Sequence, residues 1–89
     1  MRRAARRDLA EPDIVLALLK AGALVEYLDY PVDLLVRFQG KNYLLEVKTP
    51  GASRSKTMQA RQKAQTEFCR LWCVPIVHNP AEALYAIGA

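Results

Sequence analysis

Asp33, Glu46 and Lys48 are the residues of this chain whose types and spacing best suit chemistry. Twelve residues separate the aspartate from the glutamate, and the lysine follows two positions later, in segments that are otherwise mostly apolar. Two carboxylates brought together in such a place repel each other, and burial strengthens the repulsion. Lys48 neutralises one charge, and a divalent cation would neutralise the rest, since carboxylate oxygens are preferred ligands of Mg²⁺ and Mn²⁺.

A β-hairpin would bring the two acids together. Residues 32–38 and 42–48 predict strands, and Gln39-Gly40 between them predicts a short turn. With a two-residue turn the acids lie directly opposite each other, with Cβ atoms roughly 4.5–5.5 Å apart, and the lysine shares their face. A turn one residue later would instead set the aspartate opposite the lysine as a plain salt bridge. The three charges could also lie on the solvent face of a half-exposed hairpin.

The remaining pattern predicts the elements that must hold this hairpin. Apolar residues at helical spacing predict a helix from Glu11, with Pro12 at its first position and Gly22 as its stop. The order α-β-β-β-α-β-α predicts an α/β fold with a single mixed β-sheet flanked by helices. The other predicted elements are a strand over 24–28, a long helix over 57–72 with Ala60, Ala64, Phe68 and Leu71 as its apolar stripe, a buried strand over 74–77, and a helix from a capping box at Asn79–Glu82 to about Ile87.

Glu11 is a candidate third acid. Glu11, Val15 and Leu18 fall on one face of the predicted helix, so the carboxylate points toward the rest of the fold more than toward water. An inward Glu11 would add a third carboxylate to the site. The alternative is that Glu11 only starts the helix, or forms a capping box with Asp8.

The composition favours a polyanionic partner. The chain has 89 residues, a net charge of +4 and a pI of about 9.3, which suits a single domain that binds nucleic acid. A domain this small has marginal stability, and dimerisation is a common remedy. Residues 1–7 predict a flexible basic arm that either contacts DNA or carries incidental charge. The candidate DNA-binding residues, which would contact phosphates, lie in the arm and in or just after the loop that follows Lys48: Arg2, Arg3, Arg6, Arg7, Arg54, Lys56, Arg61 and Lys63.

The remaining polar and aromatic residues give weaker signals. Cys69 and Cys73 are expected to be free buried thiols in a reducing compartment, with a disulfide between them as the alternative. His78 has no neighbouring acid or nucleophile in the sequence, so we expect no catalytic role for it. Tyr43 and Trp72 are expected in the core. No apolar run predicts a transmembrane helix or a signal peptide, so we expect no membrane association and a cytoplasmic protein, of bacterial or phage origin and active in the host cytoplasm.

The chemistry-bearing residues also occur in a recognisable order. They are Arg6-Arg7-Asp8, Glu11, Val32-Asp33-Leu34-Leu35-Val36, Tyr43-Leu44-Leu45-Glu46-Val47-Lys48, Gln65, Phe68, Trp72, Pro75-Ile76-Val77 and Ala81-Glu82-Ala83-Leu84. This order resembles the VRR-NUC branch of the PD-(D/E)XK nuclease superfamily, in its stand-alone form, from about Arg6 to Ala86. One position departs from the pattern: the family has proline directly before the aspartate, whereas here Val32 precedes Asp33 and Pro31 lies one residue earlier. Pro12-Asp13 is a second proline–aspartate pair, but it opens a helix.

The resemblance implies a restriction-endonuclease-like core and a metal-dependent phosphodiesterase. It implies Asp33, Glu46 and the backbone carbonyl of Val47 as metal ligands, with Glu11 as an additional acidic ligand. Lys48 would position or activate the attacking water and stabilise charge on the phosphorane. Gln65 would orient either Lys48 or that water.

The resemblance further implies an endonuclease acting on DNA. With 89 residues there is no room for a separate sequence-reading domain, so structure-selective cleavage is favoured. Stand-alone members of the branch resemble Holliday-junction resolvases that act as homodimers on branched DNA. Two alternatives stay open: a nuclease fold that binds DNA without cutting it, and a nuclease subunit that needs a partner protein. The charges near the site could likewise form a solvated face, and Gln65 could be a plain surface amide.

Overall fold

Seven elements follow one another in the predicted order. A computed structural model of the protein describes residues 9–49 and 56–89, with side chains from residue 62 onward in the second segment. The predicted basic arm and the loop over 50–55 therefore lie outside the described residues. The elements are α1 (Glu11–Lys20), β1 (Leu24–Tyr27), β2 (Leu34–Phe38), β3 (Lys41–Val47), α2 (Lys56–Trp72), β4 (Ile76–Val77) and α3 (Pro80–Ala86).

The four strands form one mixed sheet in the order β1-β2-β3-β4. β1 and β2 are antiparallel, as are β2 and β3, whereas β4 runs parallel to β3. The prediction of a mixed sheet with three helices is confirmed. β4 is shorter than predicted and begins after Pro75, whose carbonyl accepts a hydrogen bond from the backbone N–H of Glu46 at 3.0 Å.

The turn between β2 and β3 has two residues, as predicted. Gln39 has φ 51° and Gly40 has φ 81°, so both central residues adopt the left-handed conformation that matches the twist of a hairpin. Phe38 consequently pairs with Lys41, and the ladder continues to the pair Leu34 and Leu45. The alternative turn, which would have set Asp33 opposite Lys48, is wrong.

The main core lies between one face of the sheet and the helices α1 and α3. α1 begins at Glu11 as predicted, but Ala10 is its N-cap, so Pro12 takes the second helical position and not the first. Asp8, the alternative capping-box partner of Glu11, lies outside the described residues. Gly22, at φ 95°, follows the helix as the predicted stop. The fully buried side chains of this core include Ile14, Leu18, Leu34, Val36, Leu45, Val47 and Ala83.

α2 packs on the opposite face of the sheet, and the predicted stripe is right only in part. Phe68 is half-buried, but Ala64 is exposed and Leu71 is 63% exposed, whereas Cys69 is only 3% exposed. The helix is therefore rotated by about one residue relative to the predicted stripe. Cys69 packs with Val32 and Val74, which fixes this rotation; the side chain of Ala60 lies outside the described residues.

Trp72 is not a core residue. It is 69% exposed and stacks on Phe68, with ring centroids 5.8 Å apart, so the prediction that it is buried is wrong. Tyr43 is half-buried against the main core, in line with its prediction.

The last helix begins as predicted at Asn79, whose Oδ1 accepts from the backbone N–H of Glu82 at 2.9 Å. The predicted capping box is incomplete, since Glu82 Oε1 accepts from the backbone N–H of His78 and not from that of Asn79. Among the residues that the structure describes, no helix has the length and apolar character needed to cross a membrane.

Candidate functional site

Asp33 lies just before β2 and contacts the end of β3. Its Oδ2 accepts a hydrogen bond from the backbone N–H of Val47, with 2.9 Å between the two atoms. Its own carbonyl accepts from the backbone N–H of Leu28 at 2.7 Å, so the chain bends here and β2 begins only at Leu34. Two hydrogen bonds therefore fix Asp33 between β1 and β3.

The direction of the Val47 peptide follows from its neighbours on β3. The backbone N–H groups of Glu46 and Lys48 donate to carbonyls of Pro75 and Val77, on the β4 side, at 3.0 Å each. Successive residues of a strand turn their backbone groups to opposite edges. Val47 therefore turns both its N–H and its carbonyl toward β2, the side on which the Asp33 carboxylate lies.

Glu46 is a buried carboxylate on the face of the sheet that α2 covers. Its exposed fraction is 2%, and the two residues that flank it, Leu45 and Val47, point into the main core on the other face. Asp33 directly precedes Leu34, the last residue of β2 to pair with β3, and Glu46 directly follows its partner Leu45, so the two acids lie side by side at the end of the ladder. Lys48, two residues further along β3, is half-buried on the same face as Glu46. Because Glu46 is buried, the alternative of a solvent-facing charge cluster is wrong.

Cys69 on α2 shares the electrostatic environment of these three residues. Burial raises the pKa of the Cys69 thiol, the nearby charges of Glu46 and Asp33 raise it further, and Lys48 opposes them. Cys69 is free and buried as predicted, but Cys73 is free and exposed, so that half of the prediction is wrong. The sequence analysis assigned no site role to Cys69. The signal was present, because Cys69 lies four residues, about one helical turn, after Gln65.

Gln65 is half-buried on the side of α2 that carries Cys69. Residues four apart on a helix are neighbours on one face, so Gln65 is directed to the sheet face that carries Glu46 and Lys48. The supporting role of Gln65 stays a prediction.

Glu11 lies at the start of α1, near the end of β3 and on the face of the sheet opposite to that of Glu46. It is 3% exposed and belongs to the buried side of α1, with Ile14 and Leu18. The backbone N–H of Ala10, directly before it, donates to Thr49 Oγ1 at 3.1 Å, which places the start of α1 beside the residue that follows Lys48. The prediction that Glu11 points into the fold is confirmed.

The structure brings together Asp33, Glu46 and Lys48 but not a complete set of three acids. Within residues 9–49 and 56–89, no group of three or more histidine, cysteine, aspartate or glutamate side chains is arranged to hold one metal ion. Two carboxylates and a peptide carbonyl at Val47 are all oxygen ligands, so they fit a hard cation such as Mg²⁺ or Mn²⁺.

The predicted phosphate-contacting residues are described only in part. Lys63 is exposed on α2, and the side chains of Lys56 and Arg61 lie outside those described. Arg54 and the four arginines of the arm also lie outside the described residues.

His78 has an acidic partner that the sequence analysis missed. Its Nδ1 lies 2.9 Å from Glu82 Oε1, four residues later at the start of α3. This pair borders an open groove between β4 and α3 that Tyr85 also lines. A histidine followed four residues later by a glutamate at a helix start was the available signal.

Comparisons of the chain with protein families, with curated proteins and with solved structures give no match.

Proposed function

We propose that the chain is a divalent-metal-dependent DNA endonuclease whose active site contains Asp33, Glu46 and Lys48. The observation that carries the proposal is the position of Asp33 at the end of the hairpin, where its carboxylate binds the Val47 N–H directly beside the buried Glu46. A second carboxylate facing a buried one is unfavourable unless positive charge accompanies the pair. Lys48 on the same face supplies one such charge, and a metal ion would supply the other.

The fold class and the strand order support a more specific assignment. The chain order α-β-β-β-α-β-α around one mixed sheet, with Asp33 just before β2 and Glu46 on β3, agrees with the restriction-endonuclease-like core that the resemblance to the VRR-NUC branch implies. The proposal therefore places the chain in the PD-(D/E)XK superfamily.

Asp33, Glu46 and the Val47 carbonyl would hold the cation. The hydrogen bond from the Val47 N–H fixes the direction of the Asp33 carboxylate, so this residue is oriented before a metal arrives. Glu11 would complete the set from α1. When bound, Mg²⁺ or Mn²⁺ supplies polarisation of the phosphate and activation of the attacking water.

The chain's own cations and amides would act on the substrate. Lys48 would orient the attacking water and stabilise the negative charge that develops on the phosphorane. Gln65, from the facing side of α2, would orient Lys48 or the water. Lys63, Lys56, Arg61, Arg54 and the arginines of the arm would contact backbone phosphates, which position DNA without reading its sequence.

The substrate proposal is branched DNA cut by a homodimer in the cytoplasm. Two copies related by a twofold axis present two sites, one for each strand of a junction. The net charge of +4 favours a polyanion of this kind. A DNA-binding module without activity, and a nuclease subunit that needs a partner protein, are the alternatives that the first experiment separates.

The test is cleavage of labelled four-way-junction, flap and linear duplex DNA, with Mg²⁺, Mn²⁺ or EDTA in parallel. The inactive variant is Asp33→Asn. The matched control is Asp13→Asn, which makes the same substitution at an exposed position in the first turn of α1. We expect metal-dependent cleavage by the wild type and by Asp13→Asn alone, with preference for the junction. Binding without cleavage in any metal would refute the proposed activity and favour the alternatives.

A further inference from the structure

The N-terminus of α1 is held by a residue that is distant in sequence. The N-cap, Ala10, has no side chain able to accept a hydrogen bond, and its backbone N–H is one of those that a helix leaves unsatisfied at its start. Thr49 Oγ1 accepts from this N–H at 3.1 Å, across 39 positions of sequence. A hydroxyl from the end of β3 thus provides what a local cap usually provides.

This hydrogen bond joins the two segments that carry the proposed site. Thr49 directly follows Lys48 and lies two residues after Val47, while Glu11 directly follows Ala10. Glu11 is 3% exposed at the first position of the helix, so its side chain is confined by the surrounding fold and its position follows that of the first turn. The Thr49 hydroxyl is therefore placed to control how far the first turn of α1 lies from the end of β3.

We infer that Thr49 is a positioning residue, which holds Glu11 at the distance from Asp33 and Val47 that metal binding needs. The inference rests on the proposed function and extends it to a residue that binds neither metal nor substrate. Valine has the shape of threonine but no acceptor, so it would release the first turn of α1. Serine would keep the acceptor and hence the position.

The test measures Mn²⁺ binding by titration calorimetry on the full chain, without DNA. Thr49→Val is expected to weaken Mn²⁺ binding about fivefold, the change that corresponds to one neutral hydrogen bond. Thr49→Ser is expected to bind as the wild type does. The matched control is Thr66→Val, the same substitution at an exposed position of α2. In a Glu11→Gln background, Thr49→Val should cause no further weakening, because the residue through which it acts is already lost.

Thermal unfolding in EDTA separates positioning from stability. If the role of Thr49 is purely structural, Thr49→Val lowers the unfolding temperature and leaves the Mn²⁺ affinity unchanged, or weakens Mn²⁺ binding equally in the wild-type and Glu11→Gln backgrounds. Either result would overturn the inference. If Thr49→Val does not fold, Thr49→Ala removes the same acceptor with a smaller side chain and is measured in its place. A wild type that binds no Mn²⁺ would overturn the proposed function and the positioning role with it, whereas the other results concern Thr49 alone.

Discussion

The carboxylate of Asp33 accepts a hydrogen bond from the backbone N–H of Val47, with 2.9 Å between Oδ2 and N. If the antiparallel ladder continued past Leu34, a backbone carbonyl would accept from the Val47 N–H. β2 begins only at Leu34, directly after Asp33, so the carboxylate takes the place of that carbonyl. The side chain of Asp33 thus extends the hairpin by one hydrogen bond and is held by it. The same contact holds the acid beside Glu46. Substitution can therefore separate the structural role of Asp33 from its proposed chemical role.

Asp33→Asn and Asp33→Ala are expected to differ in stability but not in activity. Asparagine retains an oxygen that accepts from the Val47 N–H, so its free energy of unfolding should stay close to that of the wild type. Alanine removes the acceptor and should lose about 1–2 kcal/mol, as for a hydrogen bond to a charged group that is partly exposed. Both variants should lose at least about a hundredfold in cleavage rate, because each removes a metal ligand.

Urea unfolding in EDTA and junction cleavage in Mn²⁺ provide the two measurements for this pair. Cleavage by Asp33→Asn at the wild-type rate would mean that the carboxylate serves only as a ladder acceptor.

Glu46→Gln is expected to stabilise the metal-free protein. Glu46 is 2% exposed and lies opposite a second carboxylate, so a neutral amide of the same shape avoids both desolvation and repulsion. A gain of about 1 kcal/mol corresponds to roughly 4–8 °C in unfolding temperature for a domain of this size. With Mn²⁺ at about 100 times its Kd the wild type should gain about 2.7 kcal/mol, and Glu46→Gln should gain nothing.

Differential scanning fluorimetry with and without Mn²⁺ tests whether Mn²⁺ reverses the order of stability of the wild type and Glu46→Gln. Glu26→Gln, an exposed glutamate on β1, is the matched control and should behave as the wild type in both conditions. A Glu46→Gln variant less stable than the wild type in EDTA would show that the buried charge stabilises the fold without metal.

The hairpin was predictable because its determinants are local. Gln39 and Gly40 select a two-residue turn, and that turn alone fixes which residue faces Asp33. The burial of Glu11 was predictable for a similar reason, since helical spacing from Ile14 and Leu18 decides which way it points.

The contacts of α2 were not predictable from its own pattern. Two neighbouring faces of α2 have similar apolar content. Packing against Val32 and Val74 decides that the face that includes Cys69 contacts the rest of the fold. Tertiary packing therefore decides that Cys69 lies near Glu46 and that Leu71 and Trp72 stay exposed. The contact of Thr49 with Ala10 was equally inaccessible, because it depends on where α1 lies relative to β3.

The Glu82–His78 pair predicts a pH dependence at the start of α3. The hydrogen bond with the His78 side chain, followed by the one from its backbone N–H, lowers the pKa of Glu82. A carboxyl group whose folded-state pKa is lowered stabilises the protein above its ordinary pKa of about 4.3, and this contribution is lost as the pH falls through the lowered value. The unfolding temperature of Glu82→Gln should therefore fall below that of the wild type at pH 6, and the difference should shrink at pH 3. A difference that does not depend on pH would assign the effect to the cap geometry alone.

The two cysteines are expected to react at very different rates. Cys69 is 3% exposed and burial raises its pKa, which the charges of Glu46 and Asp33 raise further, so at neutral pH it is a covered thiol. Cys73 is exposed at the end of α2. At pH 7.5 Cys73 should react rapidly with one equivalent of a thiol-specific reagent. Cys69 should react with a second equivalent only as fast as opening of the fold exposes it. Cys73→Ser should abolish the rapid phase and Cys69→Ser should leave it unchanged, as followed by mass spectrometry. Rapid modification of Cys69 in the folded protein would show that α2 leaves the sheet readily, and the placement of Gln65 over Glu46 and Lys48 would then have to be abandoned.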